Sequence, residues 1–105
     1  MKGGRRMLKI YNGRKAFWQW DSGQKMLVTY EGPCDIHFKI PGEDVAISAP
    51  TYLLEGRTVA DVPDQLLQVP GHLTAYIYIC VGDKYTAIME QFPIIPRQKP
   101  ANYGQ

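Results

Sequence analysis

Turn signals recur along this chain at a spacing of roughly ten residues, which leaves room between them for single short strands. They are Asn12-Gly13, Asp21-Ser22-Gly23, Glu31-Gly32-Pro33, Pro41-Gly42, Glu55-Gly56, Pro70-Gly71 and Gly82-Asp83. That cadence suits an all-β sandwich or barrel. Asn12-Gly13 favours a type I′ turn, because both residues tolerate positive φ, so 7–11 and 15–20 are expected to pair as a hairpin.

The runs between the turns favour strands. One covers 26–30. In 34–40, Cys34, Ile36, Phe38 and Ile40 share one face, and Asp35, His37 and Lys39 share the other, the alternation of a half-buried strand. Runs 45–48 and 52–54 are shorter and separated by Pro50, and 57–62 follows Glu55-Gly56. The strongest strand is 73–81, with Leu73, Ala75, Ile77, Ile79 and Val81 on its apolar face and Thr74, Tyr76, Tyr78 and Cys80 opposite. Segment 84–95 is its hairpin partner, and Pro93 ends that pairing or places the stretch on an edge. Pro63-Asp64-Gln65-Leu66-Leu67-Gln68 puts a proline at a first helical position with an acid beside it. It predicts a short helical crossover between two sheets, stopped by Pro70-Gly71.

A length of 105 residues favours a single domain. The expected division is an N-terminal extension over 1–6, a β domain over 7–96, and an extended tail over 97–105 whose two prolines suit a linker or arm. A net charge of +2 is too small for the basic stripe of a nucleic-acid binder. The basic residues that cluster are Lys2, Arg5, Arg6 and Lys9, at the N-terminus. No apolar run approaches the roughly 18 residues of a membrane helix, and no apolar signal-peptide core follows the basic start. Lys2-Gly3-Gly4-Arg5 is how a purine-rich ribosome-binding site reads when translated in frame. Met7 is therefore the expected natural start, in a bacterial or phage gene. A natural protein whose mass begins at Met1 would refute that.

Enzymatic chemistry needs reactive side chains with activating partners, and the candidates are sparse. His37 lies on a polar strand face and His72 starts a strand after a turn, so both are expected to face solvent. Cys34 and Cys80 could pair across a sandwich, but strand parity puts Cys80 opposite the apolar face. Two free, buried, inert thiols are the expectation. No zinc-type spacing or phosphate loop is present, so no catalytic residue, cofactor or metal is expected.

The aromatics say more. Trp18 and Trp20 share one face if 15–20 is a strand; they fill core there, or stack on sugar rings as in many carbohydrate-binding sandwiches. Thr74, Tyr76 and Tyr78 would form a flat outward patch of the kind enriched at protein interfaces.

Several runs together resemble a known family. Ile10-Tyr11-Asn12-Gly13, then Phe17-Trp18-Gln19-Trp20-Asp21-Ser22-Gly23-Gln24-Lys25, are similar to the opening of small β-sandwich domains at the N-terminus of phage and prophage tail or fibre proteins of Gram-positive gut bacteria. Val62-Pro63-Asp64-Gln65-Leu66-Leu67-Gln68, the Tyr76-Ile77-Tyr78 strand, and the exit Pro96-Arg97-Gln98-Lys99-Pro100-Ala101-Asn102-Tyr103 follow in the family's order. The resemblance spans about Met7 to Tyr103. It implies an immunoglobulin-like antiparallel β-sandwich of about seven to eight strands, with the short helical turn near 63–68. It also implies a virion structural module of the tail, baseplate or fibre, assembled in the bacterial cytoplasm, with other virion proteins or copies of itself as partners. In that family the exit usually leads into a longer chain, whereas this sequence stops at Gln105. Alternative functions are a module binding host cell-surface glycans and a small inhibitor of a host defence protein. Neither nucleic acid nor membrane is an expected partner.

Overall fold

A computed structural model describes residues 7–30 and 34–103. The extension 1–6, with Lys2, Arg5 and Arg6, and the Glu31-Gly32-Pro33 turn lie outside the described residues. Nine strands are seen among the described residues: β1 (Leu8–Ile10), β2 (Phe17–Trp18), β3 (Lys25–Val28), β4 (Asp35–Lys39), β5 (Ala46–Pro50), β6 (Tyr52–Leu54), β7 (Arg57–Asp61), β8 (Gly71–Val81) and β9 (Lys84–Ile95). One 3-10 turn, Asp64–Leu67, joins β7 to β8.

The strands form a four-stranded sheet in the order β1-β3-β7-β6 and a five-stranded sheet in the order β2-β9-β8-β4-β5. This is the immunoglobulin arrangement, with the A-B-E-D sheet facing a G-F-C sheet that C′ widens. The expected sandwich is therefore present. It gains a strand because the first strand is split between the sheets: β1 lies on one, and β2 lies on the other, parallel to β9. The 3-10 turn is the expected crossover, and Pro50-Thr51 is a second corner, where the chain leaves β5 and enters β6 on the opposite sheet.

The expected hairpin of 7–11 with 15–20 does not form. β1 pairs antiparallel with β3, Leu8 opposite Val28, and β2 pairs with β9. Gly13 takes φ 83 but Asn12 does not take positive φ, so the turn is not type I′. It closes with Gly13 N donating to Ile10 O at 3.0 Å. Asn12 Oδ1 accepts from Arg14 N at 3.1 Å, a side-chain turn that sends the chain onward instead of back. Ile10 and Phe17 can then both bury their side chains, each from a different sheet. Among the described residues, the turn with two successive positive φ values is Glu55-Gly56 (53° and 79°), between β6 and β7.

Strand alternation supplies the core. Ile36 and Phe38 of β4, and Leu73, Ala75, Ile77 and Ile79 of β8, all point inward, against Met26 and Val28 of β3. Phe17 meets Phe92 edge to face at 6.3 Å. Leu66 and Leu67 of the 3-10 turn join the same cluster.

Both cysteines are free. Cys34 is half-buried beside the core, and burial pushes its thiol pKa up. Cys80 is exposed, which corrects the expectation of two buried thiols: its parity on β8 turns it outward. A maleimide is expected to label Cys80 at least several-fold faster than Cys34, since Cys80 is exposed and burial raises the Cys34 thiol pKa. Equal rates for wild type and Cys80→Ser, followed by mass spectrometry, would refute this.

The segment expected to run extended as a linker or arm is held by its own chain. Arg97 Nε donates to Gln19 O at 2.7 Å, and Arg97 N donates to Gln19 Oε1 at 3.2 Å. Gln68 Nε2 donates to the Tyr103 hydroxyl at 3.1 Å, and a turn closes from Tyr103 N to Pro100 O.

Candidate functional site

The outer face of the five-stranded sheet carries the candidate site. The β8–β9 register sets Tyr76 opposite Met89, Tyr78 opposite Ala87, Thr74 opposite Gln91 and Cys80 opposite Tyr85. On the other side of β8, His37 of β4 lies opposite Tyr76. All these side chains share one face because strand neighbours in register point the same way.

The rings form a cluster. His37 stacks on Tyr76 at 5.0 Å with planes 23° apart, and meets Tyr78 edge-on at 5.4 Å. Tyr76 and Tyr78 meet edge to face at 5.6 Å. The His37 Nδ1 and Ser48 Oγ lie 2.8 Å apart, a hydrogen bond that fixes the imidazole from β5. His37 is thus on the outer face, as expected, but half-covered by Tyr76 instead of free in solvent. His72 is exposed at the start of β8, as expected. Desolvation, then the neighbouring Tyr78, raises the Tyr76 phenol pKa.

Around this cluster the face stays open: Tyr78 is 51% exposed, Met89 53% and Tyr85 76%. Gln91 Nε2 donates to Thr74 Oγ1 at 3.3 Å. A shallow groove runs from Tyr76, Tyr78 and Met89 to the β4–β5 loop, where Lys39, Asp44 and exposed Val45 form its wall. Tyrosine and methionine are residue types enriched at protein interfaces.

The structure therefore brings Thr74, Tyr76 and Tyr78 together, as the sequence predicts. It does not bring Trp18 and Trp20 together. β2 ends at Trp18, which lies beside Ile95 and is 40% exposed. Trp20 is half-buried, outside the core, in a turn with φ 73. Its ring meets Tyr103 edge to face at 5.2 Å, and Lys99 Nζ lies 5.2 Å from its centroid. Neither the core filling nor the alternative two-indole platform is formed, because the strand stops between the two residues. Met89 and Tyr85 were missed in the sequence. The two-residue Gly82-Asp83 turn carries the signal, since it fixes which residue of 84–95 lies opposite each tyrosine.

On the opposite sheet, Lys25 Nζ donates to Asp61 Oδ1 at 2.9 Å, and the Tyr52 hydroxyl donates to the same oxygen. The Tyr52 hydrogen bond, then Lys25, lowers the Asp61 pKa, and Asp61 raises that of Lys25. A hydrogen bond to Glu55 raises the Tyr11 pKa. The depressed Asp61 contributes stability above the ordinary value of 3.8, lost as pH falls through its folded value. The raised Tyr11, Tyr76 and Lys25 contribute stability below their ordinary values, 10.0 for the tyrosines and 10.5 for the lysine, lost as pH rises through their folded values. Tm is expected to be flat between these limits and to fall by a few degrees beyond each from these surface groups. Calorimetry on Asp61→Asn tests the acid side; an unchanged acid limb would refute the assignment.

Among the described residues no helix is long and apolar enough to cross a membrane. Comparison with protein-family models, with curated proteins and with solved structures finds no match.

Proposed function

We propose that this chain is a structural module of a phage virion, in the tail, baseplate or fibre, and that it works by protein–protein contact and not as an enzyme. The observation that carries this reading is the open patch of Tyr78, Tyr85 and Met89 around half-buried Tyr76 on the five-stranded sheet. Tyrosine and methionine on a flat, ordered surface supply contact area at low entropic cost. Many weak contacts of this kind add up on a particle that carries repeated copies. The order of motifs from Ile10 to Tyr103 supports the virion setting. Other virion proteins, or further copies of the chain, are the partners, met in the bacterial cytoplasm during assembly.

The test is the protein content of purified phage particles from the strain that carries the gene. Peptides of this chain are expected in stoichiometric amount, and their loss from particles is expected for Tyr78→Lys, which keeps the strand but puts a charge on the patch. Particles lacking the wild-type chain would refute the role. A second reading, glycan binding, has one observation behind it: the exposed Trp18 indole beside Ile95. A tryptophan fluorescence shift with cell-wall sugars, abolished by Trp18→Ala, would support that reading instead.

A further inference from the structure

β9 is paired along its whole length on one side, from Lys84 opposite Val81 to Ile94 opposite Gly71. On its other side β2 meets it at Ile94 and Ile95. Among the described residues, no strand runs beside 84–93 on that second side.

Turn geometry tells which backbone groups are left over. Gly82-Asp83 is a two-residue connection with Gly82 at φ 67 and Asp83 outside the positive region, the pattern of a type II′ hairpin. The flanking pair, Val81 and Lys84, then exchanges both its hydrogen bonds, and the ladder assigns every second residue of β9 to β8. Tyr85, Ala87, Met89 and Gln91 point their N–H and C=O groups the other way. Ile95 obeys the same parity, since its carbonyl accepts from Gln19 N at 2.8 Å on the β2 side. So does Pro93, which sits in mid-strand opposite His72 because the ladder needs no N–H there. The stretch from Tyr85 to Gln91 contains no proline or lysine to blunt it, and such an edge is a template for another strand.

We propose that β9 of one copy pairs antiparallel with β9 of a second copy, about a twofold axis through Ala87. This register sets Lys84 opposite Glu90, so that opposite charges face each other twice. It sets Tyr85 opposite Met89 on the outer face, a ring against a thioether. The small Ala87 side chains meet at the axis. Moving the axis to Ile88 would put Lys84 opposite Phe92, and moving it to Thr86 would leave Glu90 facing a turn. With the axis at Ala87, the partner's Gly82-Asp83 turn faces Gln91 and Phe92 and stops short of β2. The pairing joins two five-stranded sheets into one continuous sheet and sets two tyrosine–methionine faces side by side. It rests on the assembly reading and names the contact between copies.

The test is light scattering and sedimentation on the full chain, over a concentration series reaching the millimolar range. The wild type is expected to pass from monomer to dimer. Ala87→Pro removes the outward N–H without touching the β8 ladder, as Pro93 already does in the same strand. It is expected to give a folded monomer throughout. Lys84→Glu is expected to weaken dimerisation roughly tenfold, and Lys84→Glu with Glu90→Lys to restore it. A wild type that stays monomeric overturns the pairing, as does a dimer that Ala87→Pro leaves intact; a charge swap without rescue overturns the register. A monomer that is still found in phage particles overturns the pairing and leaves the virion role standing. A β9-dependent dimer absent from particles does the reverse.

Discussion

Phe17→Ala is expected to destabilise the domain by about 3–5 kcal/mol, the cost of emptying a large buried site. The ring is completely buried and lies edge to face against Phe92 at 6.3 Å. It also anchors a strand with little else to hold it, since β2 has two residues and two register positions on β9. Loss of the ring should therefore leave a cavity and free β2 together. A domain of this size has about 5–15 kcal/mol in hand, so Tm should fall on the order of 20 °C. Urea unfolding measures the loss. Tryptophan emission should shift at lower urea than the far-ultraviolet signal, because Trp18 lies in the freed strand and Trp20 just after it. Phe17→Leu keeps most of the volume and should cost far less. An alanine variant within about 1 kcal/mol of wild type would show that β2 is held by something other than this ring.

Asp21→Ala should have the second largest effect, about 2–3 kcal/mol, because it removes a well-covered carboxylate that accepts a backbone hydrogen bond and faces two guanidinium groups. The side chain is only 11% exposed. Its Oδ2 accepts from Trp18 N at 2.9 Å, and Arg14 and Arg97 approach the carboxylate at 3.7 and 3.6 Å. Without it, the Trp18 amide loses its partner and two guanidinium groups lose their counter-charge. The exit segment should loosen, since Arg97 is its first anchor. Trypsin is expected to cut after Arg97 in the variant well before it does so in wild type, with Asp21→Asn in between. Equal protection in all three would assign the clasp to Gln19, Gln68 and Tyr103 instead.

The parts of this fold that are legible in the sequence are those where one strand carries its own pattern. Ile36 and Phe38 alternate with Asp35 and Lys39, and Leu73 to Ile79 alternate with Thr74 to Tyr78, so burial follows from a period of two. The outward Tyr76–Tyr78 pair is legible for the same reason. What stays hidden depends on distant partners. Asn12-Gly13 looks like a hairpin turn, yet Phe17 finds Ile94 across the chain instead of a neighbour across the turn. No local pattern announces a two-residue strand. Trp20 is a bulky residue at positive φ, against its own preference, because the turn held by Asp21 and the packing of Tyr103 and Lys99 fix it there. The exit segment has loop composition and earns its order from Gln19 and Gln68, far away in sequence.

The parallel contact of β2 with β9 has a mechanical meaning. Tension between the two ends of the chain pulls these neighbouring strands in opposite directions along their own length. Their backbone bonds, and those from Arg97 to Gln19, then carry load side by side and break together, as in a lap joint, instead of opening one after another like a zip. Single-molecule stretching should show one abrupt high-force rupture, lowered by Asp21→Ala; a gradual low-force opening would mean that the joint bears no load.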